Sequence, residues 1–105
     1  MKPSTAIEIL TMFGCVAWRC NAGKVPTKGG WMHLAHKGVS DVFGFHQLTG
    51  LIAAVECKTD KDKPRPEQID FLNKVERVGG MAVVAWTEED LLKAIKAKRI
   101  CKKKV

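Results

Sequence analysis

The sequence predicts a single α/β domain in which a mixed β-sheet is flanked by helices. Two kinds of apolar segment alternate along the 105 residues. Some repeat at the three-to-four-residue spacing of a helix, whereas the runs at 51–55 and 81–86 are short and continuous, as in buried strands. A chain of this length typically forms one domain with one core. We therefore expect the element order α-(β)-β-β-α-β-α over residues 1–105.

The N-terminal third is predicted to begin with a long helix. Thr5-x-x-Glu8 matches a capping box just after Pro3, in which each side chain bonds the other residue's backbone amide. Apolar residues then recur at helical spacing, which predicts a helix that ends between 18 and 21. Residues 22–30 contain three glycines and are predicted to form a loop. A short strand is predicted at 31–35.

The middle of the chain has the pattern of a β-hairpin. Residues 38–45 and 51–58 are the predicted strands, and 46–50 is the turn between them. Residues 51–55 are apolar on both strand faces. We therefore expect the second strand to lie inside the sheet, covered on both sides.

Helix signals frame the last predicted strand. Pro66 suits the first position of a helix, and Gly79-Gly80 suits its end. The apolar residues between them recur at helical spacing: Ile69, Phe71, Leu72, Val75 and Val78. After a buried strand at 81–86, Thr87 is predicted to cap a final helix with an acidic first turn. Its predicted inner face consists of Leu91, Leu92 and Ile95.

The net charge of +7 is concentrated near the C-terminal end. Seven of the 18 basic residues lie between 93 and 105, where there is no acid. This segment, with a basic tail at about 99–105, would attract phosphates. A solvated chain end would explain the same charge, so both interpretations stand at this point.

Several protein classes are disfavoured. No apolar run approaches the ~18 residues that cross a membrane, and Glu8 falls where a signal peptide would need an apolar stretch. The four cysteines (Cys15, Cys20, Cys57 and Cys101) include no CxxC pair, so a zinc site is not indicated. We expect free thiols and a cytoplasmic protein with no membrane partner.

Two acidic residues conflict with their apolar surroundings. Asp41 shares a predicted strand face with Phe43 and Phe45, and Glu56 ends a strand that otherwise suits the core. A carboxylate there costs free energy unless something pairs with it. Since the hairpin strands are antiparallel, we expect the hairpin to bring Asp41 beside Glu56.

Such a pair of carboxylates suits a divalent cation and a phosphodiester substrate. Converging carboxylates repel each other, and Mg²⁺ removes that repulsion while taking hard oxygen ligands. The backbone carbonyl of Cys57 would add a ligand. Lys58 follows Glu56 by two residues, so both side chains are predicted to point to the same side of the strand. In phosphodiester hydrolysis the cation activates water and polarises the phosphoryl group, and an ammonium orients that water or stabilises developing charge.

The pattern by itself has low specificity. One acid on a strand is more commonly a surface ion-pair partner, and Glu-x-Lys occurs often by chance. Two features favour a function: both strands are otherwise apolar, and they are predicted to pair.

A wider set of segments resembles the VRR-NUC nucleases of the PD-(D/E)xK superfamily. The matching segments are 38–45, which holds Asp41, then 55–58 (Val-Glu-Cys-Lys), 66–72 (Pro-Glu-Gln-x-x-Phe-Leu) and 79–84. The first helix with Glu8, together with residues 18–23, looks like the family's opening segment. The resemblance thus covers nearly the whole chain. Ser40 stands where the superfamily's name has proline, and Cys57 replaces a more usual apolar residue.

The resemblance implies a restriction-endonuclease-like sheet and a complete catalytic set. Asp41 and Glu56 would hold Mg²⁺ or Mn²⁺, and Lys58 would be the catalytic lysine. Gln68 would complete the site, and Glu8 would approach the metal from the first helix. The capping box gives Glu8 a purely local role, and helix surface is the other interpretation of Gln68.

Stand-alone members of the family, often from phages, look like Holliday junction resolvases, and many are homodimers. The resemblance therefore implies a structure-selective endonuclease for branched DNA, acting in DNA repair in a bacterial or phage-infected cytosol. Two alternatives remain: a monomeric nicking or flap nuclease, and a non-catalytic DNA-binding module. Positions expected to touch phosphates, unless they are only solvated surface, are Arg19, Lys24, Lys28, Lys37, Lys98, Arg99, Lys102, Lys103 and Lys104.

Overall fold

The computed structural model describes residues 1–20, 24–33 and 37–100. The helices within these ranges are α1 (Pro3–Met12), α2 (Pro66–Arg77) and α3 (Glu88–Ala97). The strands are β1 (Cys15–Arg19), β2 (Lys24–Thr27), β3 (Gly30–His33), β4 (Val42–His46), β5 (Ile52–Cys57) and β6 (Met81–Ala85). No helix in the described ranges is long and apolar enough to cross a membrane.

The main sheet is mixed and has the strand order β1-β4-β5-β6. β4 is antiparallel to both of its neighbours, whereas β5 and β6 are parallel and are joined through α2. β2 and β3 form a separate antiparallel pair. The predicted fold class, α/β with a mixed sheet flanked by helices, is confirmed.

The helices cover the two faces of this sheet unequally. Leu10 of α1 and Leu91 of α3 pack on one face, in a cluster that includes Val55. Of the helices in the described ranges, α2 alone packs on the other face, where Leu72 and Val75 contact Ala54. Burial of these side chains is the main stabilising term of the fold, at about 1.5–3 kcal/mol for each large one.

The predicted hairpin is confirmed. Val42 pairs with Val55 and Phe45 with Ile52. The turn is closed by the amide of Gly50, which donates to the carbonyl of His46 at 2.8 Å. Strand β5 is the interior strand that its sequence predicted, because the residues at 53–55 are fully buried. The first strand is shorter than predicted, since β4 begins at Val42 and Asp41 lies in a bend just before it.

The N-terminal helix is confirmed, but its predicted end between 18 and 21 is wrong. α1 ends at Met12, and after Gly14, whose φ is +85°, the chain forms β1 beside β4. The apolar residues between 13 and 18 fit both the spacing of a helix and the two-residue alternation of a strand. They form a strand because this segment pairs with the free edge of β4. The capping box is also wrong: α1 begins at Pro3 with Lys2 as N-cap, so Thr5 lies inside the helix.

The predicted loop at 22–30 is wrong as well, because it contains β2 and the turn into β3. The predicted strand at 31–35 is confirmed as far as His33, while 34 and 35 lie outside the described residues. The two later helices and the Thr87 cap are confirmed, the hydroxyl of Thr87 accepting from the amide of Asp90 at 3.2 Å. Three residues predicted on inner faces are exposed: Ile69, Val78 and Leu92.

Candidate active site

Asp41 is fixed beside the end of β5 by backbone hydrogen bonds. Its Oδ2 accepts from the amide of Cys57 at 2.8 Å. Its carbonyl accepts from the amide of Cys20 at 2.8 Å, which ties the bend to the end of β1. Buried Ser40 stabilises the same bend by donating its hydroxyl to the carbonyl of Val42 at 2.8 Å. The hairpin register then places Asp41 opposite Glu56, as the sequence predicted.

Glu56 is a buried carboxylate with one unpartnered oxygen. Its side chain is 2% exposed. Oε1 accepts from Nε2 of Gln68 at 3.3 Å and lies 3.9 Å from Nζ of Lys58. Oε2 is buried and has no hydrogen-bond partner. Leaving a buried polar oxygen unsatisfied costs about 1–3 kcal/mol, and more when the group is charged.

The environment of Glu56 favours its protonated form. Burial, and after it the neighbouring Asp41 carboxyl, raise the pKa of Glu56 to about 8. Lys58 and Arg65 act in the opposite direction. Near neutral pH, and without a cation, the carboxyl pair therefore retains a proton. Converging acids in a poorly hydrated site behave in this way.

Gln68 joins the start of α2 to Glu56. It occupies the third position of the helix, where its Oε1 accepts from the amide of Arg65 at 2.8 Å. Its Nε2 donates to Glu56, so both ends of the amide are used. The side chain is buried at 7% exposure, which rules out the alternative that Gln68 is simple helix surface.

The segment before Asp41 packs tightly against the first turn of α2. Gly38 has a φ of +83°, and a Cβ atom there would collide with the backbone carbonyl of Glu67. Only glycine tolerates both the dihedral angle and the close approach. The backbone thereby holds the two carboxylates and Gln68 in one small region.

Cys57 faces away from the carboxylates, as predicted. Its side chain packs against the α1 and α3 side of the sheet, and burial raises the pKa of its thiol to about 11. The cysteines in the described residues, Cys15, Cys20 and Cys57, are free thiols. The backbone amide of Cys57, rather than its carbonyl, is the group that contacts Asp41. A ligand role for that carbonyl stays a prediction.

The residues present fit a Mg²⁺ or Mn²⁺ ion. Mg²⁺ is commonly held by one or two carboxylates, with water and substrate oxygens completing its shell. Asp41 and Glu56 supply two carboxylates, and the unpartnered Oε2 of Glu56 is an oxygen that a cation would satisfy. Larger groups, of three or more His, Cys, Asp or Glu side chains suited to a metal, do not occur among the described residues.

Glu8 is not brought to this pair. It is exposed on α1, in a groove that it shares with Met12 and Leu92 between α1 and α3. α1 packs on the sheet face opposite to that of α2 and Gln68. The structure therefore assembles Asp41, Glu56, Lys58 and Gln68 but leaves Glu8 outside.

Arg65 belongs to the site although the sequence pattern did not single it out. It is the N-cap residue of α2, its charge lowers the pKa of Glu56, and its Nε lies 3.4 Å from Oε1 of Glu67. Its guanidinium is largely exposed and so accessible to a phosphate. The signal in the sequence is its position, three residues before Gln68, because a helix cap and the third helical residue are neighbours in space.

The residues predicted to contact phosphates are dispersed. Arg19 is exposed at the end of β1, where strand alternation turns it towards the face opposite to Trp18. Lys98 pairs with Glu76 at 2.9 Å, and Glu76 lies roughly 12 Å along α2 from Gln68. The rest share no single surface: Lys28 is exposed in the β2–β3 turn, Lys37 is exposed next to Gly38, and Arg99 lines a cavity of about 310 Å³ with His46 and Ile100.

The predictions for Lys102, Lys103 and Lys104, and for the side chain of Lys24, lie outside the described residues. Comparison of the chain with protein-family models and with curated proteins found no match. Membership of the VRR-NUC nucleases therefore stays a prediction, which rests on the residues quoted from the sequence and on the site that they form.

Proposed function

We propose that this protein is a divalent-cation-dependent DNA endonuclease selective for branched DNA, of the Holliday-junction-resolvase type. One observation carries the proposal: Glu56, on the interior strand, is buried beside Asp41 with one oxygen unpartnered. An apolar side chain at that position would commonly be neutral or stabilising for the fold. A cation shared by two carboxylates accounts for what folding alone does not.

Each residue of the site has a chemical role in this proposal. Asp41 and Glu56 would hold Mg²⁺ or Mn²⁺, which when bound supplies Lewis-acid activation of the phosphoryl group and of water. The ammonium of Lys58, 3.9 Å from Glu56, would orient the attacking water and offset negative charge that develops on the phosphate. Gln68 fixes the carboxylate of Glu56, and the amide of Cys57 fixes Asp41.

The substrate and setting rest on charge and resemblance. The net charge of +7 and the exposed Arg65 beside the site favour a polyanion. The antiparallel hairpin that carries both carboxylates, followed by a crossover helix and a parallel strand, supports assignment to the restriction-endonuclease-like class. The VRR-NUC resemblance supports branched DNA, a homodimer and a cytosolic place of action.

The decisive test is cleavage of a labelled four-way junction in Mg²⁺ and in Mn²⁺. We expect Asp41→Asn and Lys58→Ala to lower the cleavage rate at least ~100-fold while folding and junction binding are retained. The matched controls are Asp70→Asn and Lys74→Ala, which remove the same charges from an exposed ion pair on α2. They should cut like wild type.

The proposal fails if wild-type protein cuts no junction, flap or linear duplex with either cation. Sedimentation separates the two nuclease forms, because paired cuts across a junction need a dimer. A concentration-independent monomer that cuts one strand would point to a nicking or flap nuclease instead.

A further inference from the structure

The α2 face of the sheet is only partly covered. Leu72 and Val75 of α2 pack over β5 and β6, and within the described part of the chain the cover from α2 stops short of β1. Beyond it, Val16 (41%), Trp18 (44%) and Phe45 (41%) are substantially exposed. We call these three residues and the half-buried Phe43 between them the aromatic strip. They form a continuous apolar surface across β1 and β4.

The rings of the aromatic strip are held in a fixed arrangement. Val16 pairs with Phe45 across the β1–β4 ladder, and Trp18 pairs with Phe43. The Trp18 ring lies edge-on to both phenylalanines, with centroids 6.0 Å from Phe43 and 6.3 Å from Phe45. Phe43 is braced in turn by Phe71 of α2 at 6.0 Å. Trp18 therefore presents a large exposed ring whose orientation is set before anything binds.

The aromatic strip and the carboxylate pair lie on the same face. Because side chains alternate along a strand, Asp41, Phe43 and Phe45 point to one side of the sheet. On the paired strand β5, Ala54 and Glu56 point to that same side. Phe43 is two residues from Asp41, a distance of about 7 Å along the strand. One part of a ligand could therefore contact the aromatic strip while a covalently attached part of the same ligand lies at the carboxylates.

Size and charge decide between a second copy of this chain and a nucleic acid. Three side chains that are about two-fifths exposed present on the order of 300 Å² of accessible surface. A standard protein–protein interface buries ~800 Å² of accessible surface on each partner. The surface is too small for a stable dimer but matches one or two nucleobases. Two cations, Lys58 and Arg65, act on Glu56 at the carboxylates, where the phosphate attached to such a base would fall.

We propose that the aromatic strip stacks an unpaired nucleobase next to the phosphate at the carboxylate site. Bases stack on exposed aromatic rings with little dependence on sequence. The preferred substrate is then branched DNA with unpaired nucleotides at the branch, rather than a fully paired duplex. This choice of substrate rests on the proposed nuclease function, whereas the stacking itself is a property of binding.

Binding without any cation tests the inference directly. Fluorescence anisotropy in EDTA would compare an oligothymidylate, a flap and a blunt duplex for wild type and for Trp18→Ala, Trp18→Phe and Leu92→Ala. We expect Trp18→Ala to weaken binding of the oligothymidylate and the flap about 5- to 100-fold and to leave the duplex unchanged. Trp18→Phe should retain most of the affinity. Leu92→Ala, equally exposed but on α3, should behave like wild type.

Several outcomes overturn the inference. Equal losses on duplex and single strand, or no loss at all, remove the stacking role. So does a wild-type dimer that becomes a monomer in Trp18→Ala, since the strip would then be an interface between copies. If the alanine variant unfolds, Trp18→Phe keeps the test valid, because phenylalanine still offers a ring on which a base can stack. A folded Trp18→Phe protein that no longer binds single strands would also refute stacking.

The same experiments separate this inference from the nuclease proposal. A protein that cuts no DNA with any cation, yet binds single strands through Trp18, would retain the stacking surface and lose the nuclease. A protein that cuts branched DNA with binding independent of Trp18 would retain the nuclease and lose the stacking surface.

Discussion

The buried carboxyl of Glu56 should make the stability of the protein depend on pH in an unusual direction. Its usual pKa of 4.5 rises to about 8 in the folded state, first through burial and then through Asp41. The folded state thus binds this proton more tightly than the unfolded state. The contribution to stability is fully present below pH 4.5 and is lost as pH rises through about 8.

The expected size follows from the width of that interval. Each pH unit within it changes the free energy of unfolding by about 1.4 kcal/mol per proton. Between about pH 5 and pH 8, wild-type protein in EDTA should lose on the order of 3 kcal/mol relative to Glu56→Gln. Glutamine has nearly the same shape and does not titrate, so the difference between the two proteins isolates this carboxyl.

Urea unfolding at a series of pH values measures the difference. Glu89→Gln, which removes an exposed carboxylate paired with Lys93 on α3, is the matched control and should follow wild type. Saturating Mn²⁺ should reduce the dependence on pH for wild type only, because a cation bound to the folded state favours the ionised pair. If wild type and Glu56→Gln differ by a constant amount across the pH range, the reasoning about the buried pair is refuted.

Two further substitutions test how the site is supported. Gly38→Ala should destabilise the fold by on the order of 2 kcal/mol and lower cleavage, because its Cβ would push the segment before Asp41 away from Glu67. Thermal unfolding would measure the loss, and Gly50→Ala, with a φ of +76° but open space around it, should show only the backbone cost of about 1 kcal/mol; equal losses would argue against the collision. Thr87→Ala should lose about 1 kcal/mol in urea unfolding through its helix cap and leave cleavage unchanged, and a loss of cleavage would contradict this.

The site could be anticipated because most of it depends on short-range geometry. A five-residue connection between two strands fixes the hairpin register, and the register fixes the position of Asp41 relative to Glu56. Lys58 follows from alternation along one strand. Gln68 follows from the helix start that Pro66 marks. Each of these inferences needs only one element or one adjacent pair.

What the sequence did not disclose depends on contacts between distant segments. Strand β1 exists because Cys15 pairs with His46, far along the chain, and no local pattern between 13 and 18 decides between helix and strand. Glu8 was expected at the metal, but the sheet face on which α1 packs decides its position. The charge of Arg65 reaches Glu56 only because α2 starts beside the end of β5.

The open aromatic face follows from the chain topology rather than from the residues that line it. β5 and β6 are parallel neighbours, so the chain must cross over between them, and α2 makes this crossing on one face. A helix that joins two adjacent strands covers those strands; α2 reaches β4 only through Phe71 on Phe43 and does not extend over β1. On this face, the described helices therefore leave Val16 and Trp18 of β1 and Phe45 of β4 substantially exposed. The same crossing starts α2 at Pro66, close to where β5 ends, and so brings Gln68 and Arg65 onto Glu56. One topological constraint therefore places a buried pair of acids beside an accessible apolar surface, the combination that the proposed binding of a phosphate together with its base would use.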